Sequence, residues 1–120
     1  MKFIGIIPAH YQSKRFPAKT LFKIKNKSII QHVYNNVKKS KLLTELYVAT
    51  DNNKIKNEID KINGKTIITN NKHENGTSRC FEAITKINTK YDYMINIQGD
   101  QPFINSNIID NLISHIKKIK

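Results

Sequence analysis

A chain of 120 residues with 38% hydrophobic residues and one cysteine, Cys80, is one domain that holds neither an intramolecular disulfide nor a cysteine-based zinc site. No apolar run nears the ~20 residues of a membrane span. The net charge of +12 does not single out nucleic acid, because 19 lysines against 2 arginines accompany 21 isoleucines and 15 asparagines. Lys, Ile and Asn share A- and T-rich codons, and the lysines are scattered rather than interleaved with aromatics. The composition reads as a soluble, cytoplasmic protein with neither nucleic acid nor membrane as partner.

Residues 2–8 predict a buried first strand rather than a signal peptide, followed by a polar loop to about Lys19. Ser28 caps a predicted helix carrying Ile29, Ile30, Val33 and Val37 on one face. Residues 46–49 form a second strand ending at Thr50 and Asp51. Ile55, Ile59 and Ile62 mark a short helix stopped by Gly64. Residues 66–69 are a third strand, leading through a polar loop to a helix at about 77–87 with Cys80, Ala83, Ile84 and Ile87 inward. A fourth strand spans 93–97 and is broken at Gly99, and a last helix carries Ile108, Ile109, Leu112, Ile113 and Ile116.

This alternation predicts an α/β fold, a Rossmann-like parallel sheet with helices on both faces and strand order 3-2-1-4. Ligands of such sheets bind beyond the carboxyl ends of the strands. Four segments there are unusual. In residues 8–19, Lys14, Arg15 and Lys19 can converge on one anion such as a triphosphate; the plainer reading is a surface loop of a lysine-rich protein. In Gln98-Gly99-Asp100-Gln101-Pro102 the carboxylate suits Mg²⁺ bridged to phosphate, and the alternative is a turn. In residues 73–79, Thr77 can cap a helix whose amides, with Arg79, hold a ligand's polar edge, while His73 alone reads as solvent-facing. Residues 49–52 read mainly as a strand end and helix cap. The histidines, at 10, 32, 73 and 115, lack metal-ligand spacing.

Together the segments resemble the 3-deoxy-manno-octulosonate cytidylyltransferases, or CMP-Kdo synthetases. The family's I-P-A-R-Y-x-S-x-R-x-P-x-K-x-L appears as residues 7–21, with His10, Ser13, Arg15 and Lys19 at the polar positions. Its V-A-T-D is Val48-Ala49-Thr50-Asp51, its H-x-S-G-T-[ED]-R runs from His73 to Arg79 with a family-like Glu82, and its N-[VI]-Q-G-D-E-P runs from Asn96 to Pro102.

The resemblance implies a fold of the nucleotide-diphospho-sugar transferase type and an enzyme that joins CTP to the acidic sugar Kdo, releasing pyrophosphate, for lipopolysaccharide synthesis. By resemblance Ala9, His10 and Ser13 belong to the nucleotide-binding loop, Arg15 and Lys19 hold the triphosphate, and Asp100 ligates Mg²⁺. Gly76, Thr77 and Arg79 help form the cytidine pocket, and Gln98 faces the sugar.

His10 stands where the family has arginine, Gln101 replaces a glutamate and Ser78 an acidic residue. The family continues past Lys120, so residues 1–120 match its nucleotide-binding N-terminal part. The remaining part implies a second metal-binding aspartate, much of the sugar pocket and a dimer surface, or a complementing C-terminal half. Apolar faces of the sheet and last helix are then expected to lie uncovered. Two alternatives stay open: a sialic-acid type cytidylyltransferase, and a truncated, non-catalytic remnant.

Overall fold

The computed structural model describes residues 1–10, 19–73 and 75–119. In chain order the elements are β1 (Phe3–Ala9), a 3₁₀ turn (Lys19–Leu21), β2 (Lys23–Ile24), β3 (Lys27–Ser28), α1 (Ile29–Lys38) and β4 (Glu45–Thr50). There follow α2 (Asn53–Asp60), β5 (Thr66–Ile68), α3 (Gly76–Thr85), β6 (Tyr93–Asn96) and α4 (Ser106–Ile119). The main sheet is wholly parallel in the order β5-β4-β1-β6, which is the expected 3-2-1-4 of its strands. No helix among the described residues is long and apolar enough to cross a membrane.

β1 sits at the centre because both its faces are apolar. Phe3, Ile7 and Ala9 enter a core shared with α1, α2 and α4, while Ile4 and Ile6 enter a smaller one with Cys80 and Ala83 of α3. Side chains alternate along a strand, so this run of residues can serve two helical layers. Burial pushes the Cys80 thiol up to about 11, as befits a core residue rather than a nucleophile. The outer side of β6 pairs with no strand among the described residues, and Phe103, Ile108, Leu112 and Ile119 nearby in sequence are exposed. Ile108, Leu112 and Ile119 thus give α4 an exposed apolar surface.

Ser28 caps α1 as expected, and Gln31 completes a reciprocal capping box. Just before it, β2 and β3 form a small antiparallel hairpin that the sequence reading did not anticipate. Its two turn residues, Lys25 and Asn26, both have positive φ, the geometry of a two-residue hairpin turn but without the usual glycine. His32 Nε2–H donates to the Ile24 carbonyl at 2.7 Å, docking the hairpin on α1.

The end of α2 corrects one expectation. The left-handed residue is Asn63, with φ 58°, and not Gly64. Gly64 N–H donates to the Ile59 carbonyl at 2.9 Å and Asn63 N–H to Asp60 at 3.0 Å, a Schellman arrangement one residue earlier than glycine placement suggests. Gly64 is required for closeness instead, since a Cβ there meets Ile59 Cγ2 at 2.5 Å and the Tyr34 ring at 3.0 Å. Both neighbours are buried, so Gly64→Ala is expected to cost ~1–3 kcal/mol, the range for overpacking. Urea unfolding measures this, and an unchanged midpoint would show that the contact relaxes freely.

Candidate functional site

The carboxyl ends of β1 and β6 and the amino end of α3 enclose a cavity of about 430 Å³. It is lined by Pro8, Ala9 and His10 after β1, by His73, Asn75, Gly76, Thr77 and Arg79 around the start of α3, and by Asn96 and Gln98 at the end of β6. Six residues singled out from sequence therefore meet in one place: Ala9, His10, Gly76, Thr77, Arg79 and Gln98. Ser13 and Arg15, with Lys14, lie outside the described residues. Two other cavities, of about 300 and 550 Å³, involve the starts of β4 and β6, at the opposite edge of the parallel sheet.

The helix start is built differently from the sequence expectation. Asn75, in extended backbone, is the cap: its side-chain oxygen accepts from Ser78 N–H at 2.9 Å, and Thr77 lies inside the first turn. A short carboxamide at that position reaches the third helical amide, which leaves Thr77 to line the cavity. The first-turn amides of Gly76 and Thr77 have no carbonyl of their own helix to face, so this end of α3 suits an anionic or polar group. Gly76 lets α3 approach β1 closely, because a Cβ there would sit 2.9 Å from Pro8 Cγ.

Arg79 is 2% exposed. Its Nη1 donates to Thr69 Oγ1 at 2.6 Å and to the Asn70 carbonyl at 3.3 Å, and its Nη2 lies 3.9 Å from Asp51 Oδ2. The guanidinium thus ties the ends of β4 and β5 to α3 while forming part of the cavity wall. Asp51, read from sequence as part of a capping segment, has a further role. Asn52 caps α2, and Asp51 lies between Arg79 and His10, whose Nδ1 is 4.0 Å away. No spacing in the Asp51-Asn52-Asn53 run distinguishes the residue that turns inward.

His73 also departs from its solvent-facing expectation. Its Nδ1 lies 3.0 Å from Ser78 Oγ and its Nε2 2.6 Å from Glu82 Oε1. Glu82 accepts from Asn70 N–H and pairs with Lys86 at 2.9 Å. Lys86, the Asn70 amide and then His73 hold its carboxyl far below the ordinary 4.5, at about 2. A depressed carboxyl pKa contributes stability that is complete above pH 4.5 and is lost as pH falls toward about 2. Thermal melts across that window should show the unsubstituted chain losing stability more steeply than Glu82→Gln; parallel curves would contradict the assignment.

Two residues beyond Gln98, the Asp100 carboxylate pairs with Lys19 Nζ at 3.4 Å, with both side chains roughly half exposed. Neither lines the cavity, but the pair brings together the ends of two segments that the sequence reading linked to phosphate and cation binding. Among the described residues no group of three or more His, Cys, Asp or Glu side chains could hold a metal ion.

Residues 4–120 match the family described as Cytidylyltransferase. The chain belongs to the cytidylyltransferase family. Its relatives include the 3-deoxy-manno-octulosonate cytidylyltransferase of Phocaeicola vulgatus, 52% identical over 87% of this chain and 40% of that protein. The Fusobacterium nucleatum protein of the same name is 47% identical over 100% of this chain and 48% of its own. A solved CMP:2-keto-3-deoxy-manno-octonic acid synthetase complexed with CTP superposes with a TM-score of 0.92 at 36% identity, covering 98% of this chain and 48% of that one. The chain spans about half the length of the curated relatives it matches. A cytidylyltransferase from Leptospira borgpetersenii, at 23% identity and a TM-score of 0.81, shares the fold.

Proposed function

We propose that the chain is the nucleotide-binding N-terminal part of an enzyme that activates Kdo with CTP. The observation that carries this is the cavity in which Ala9, His10, Gly76, Thr77, Arg79 and Gln98 meet, in a chain whose relatives are named for that reaction. Those names favour Kdo over sialic acid as the sugar. In this reading the sugar's anomeric hydroxyl oxygen forms a bond to the α-phosphorus of CTP as the bond to the bridging oxygen of pyrophosphate breaks. The hydroxyl proton passes to solvent, and pyrophosphate leaves with the bonding pair, giving CMP-Kdo for lipopolysaccharide synthesis.

Such a displacement depends on positioning and charge neutralisation rather than on covalent catalysis. The first-turn amides of Gly76 and Thr77 hold the cytidine's polar edge, on a wall that Arg79 keeps in place. Lys19, and by resemblance Arg15, offset the triphosphate charge, Ser13 belongs by resemblance to the nucleotide-binding loop, and the Gln98 amide faces the sugar. Asp100 fits Mg²⁺ as a single, half-exposed hard oxygen donor, in keeping with an ion that takes one or two carboxylates plus substrate phosphates. When bound, the ion supplies neutralisation of phosphate charge. The protein is cytoplasmic in this account, and it works as a homodimer or with a C-terminal half.

The test is pyrophosphate release from CTP, Kdo and Mg²⁺, with and without a separately expressed C-terminal half of a relative. Little or no turnover is expected from the 120 residues alone, since misplacing a substrate by about an ångström already costs ~100-fold. Kdo-dependent release on mixing supports the reading. Substantial turnover by the 120-residue chain alone overturns the expectation that it is only part of the site, and a mixture indifferent to Kdo overturns the substrate.

A further inference from the structure

Glu82 stands outside the cavity lining, yet three parts of the molecule converge on its carboxylate. Asn70 N–H donates to both oxygens at 2.9 and 3.2 Å, His73 Nε2 lies 2.6 Å from Oε1, and Lys86 Nζ is 2.9 Å from Oε2. Lys86 also donates to the Ile68 carbonyl at 2.7 Å, anchoring the cluster to β5. His73 is the member that reaches the cavity. Its second nitrogen meets Ser78 Oγ at 3.0 Å. Both ring nitrogens are therefore engaged by the protein, and what His73 offers a ligand is a fixed ring rather than a free donor or acceptor.

We infer that Glu82 is a positioning residue for the nucleotide cavity: through His73 it sets the wall formed by the segment that enters α3. This rests on the nucleotide reading of the cavity given above. A carboxylate that accepts a ring N–H selects the tautomer and the orientation of the imidazole. Here the same carboxylate fixes the backbone at Asn70, whose carbonyl accepts from Arg79. Losing the carboxylate frees the wall at two points and leaves the groups that would touch ligand chemically unchanged.

The experiment titrates CTP·Mg²⁺ into the chain, Glu82→Leu, His73→Phe and the double variant, far below their melting temperatures. Glu82→Leu removes the oxygen that both Asn70 N–H and His73 Nε2 reach, and His73→Phe keeps the ring without its bonds. Each single change is expected to weaken CTP by ~10-fold to ~100-fold, the cost of losing an outer support or an ångström of placement. The double variant should be no worse than the poorer single one, because both remove one interaction. Nitrogen-15 spectra of the His73 ring should show a protected Nε2 proton that disappears in Glu82→Leu.

CTP affinity within twofold of the unsubstituted chain, fully additive losses, or no protected ring proton would each overturn the inference. An unsubstituted chain that binds no CTP overturns the nucleotide reading and this wall's ligand with it. Where the unsubstituted chain binds CTP and Glu82→Leu binds it equally well, only the positioning role is overturned.

Discussion

Arg79→Ala is expected to destabilise the fold by ~2–4 kcal/mol and to remove nucleotide binding with it. The size of the effect follows from burial and from what is left behind. Arg79 is 2% exposed, and its guanidinium reaches Thr69, Asn70 and Asp51 on two different strand ends. Hydrogen bonds to charged groups contribute ~1.5–3 kcal/mol, and an acid left without its buried cation adds to the loss. Arg79→Lys should recover only part, because an ammonium cannot reach Thr69 and Asp51 with the same fork. Urea unfolding of the two variants decides this: equal midpoints for Arg79→Ala and the unsubstituted chain would show that the guanidinium serves the ligand alone.

Asp100→Asn is expected to act on function and barely on stability. The Lys19–Asp100 pair is 3.4 Å long between half-exposed side chains, and such pairs contribute ~0–1 kcal/mol to folding. For a hard cation the change replaces an anionic oxygen with a neutral one at the carboxylate proposed to hold it. Turnover of the enzyme reconstituted with a C-terminal half should fall by ~100-fold or more, the scale for losing one electrostatic contact in a transition state. Melting temperature should stay nearly constant. A loss of stability that tracks the loss of activity would make Asp100 a structural residue.

The sheet was legible because parallel strands buried on both faces are written as short apolar runs, as in residues 3–9 and 93–97. The end of the sheet that bears the site followed from that topology alone. What escaped was local geometry carried by asparagine. Asn63 takes the left-handed position beside a glycine, Asn75 caps α3 ahead of a threonine, and Asn26 closes a hairpin without glycine. In the first two cases a plausible neighbour stood one or two residues away, and in the third no glycine marks the turn. Asp51 and the His73–Glu82 pair escaped for another reason: their roles depend on contacts across the fold, and no periodic pattern records those.

We propose that the strand-end cavity binds a nucleoside triphosphate whose charge Lys19 helps to offset. Calorimetric titration of CTP and of uncharged cytidine, each with and without Mg²⁺, tests it most directly. CTP should bind at least ~10-fold more tightly than cytidine, as each charge-assisted phosphate contact contributes ~1.5–3 kcal/mol. Mg²⁺ should tighten CTP and leave cytidine unchanged, since only the triphosphate offers the ion further oxygens. Equal affinity for CTP and cytidine, indifferent to Mg²⁺, would contradict the account.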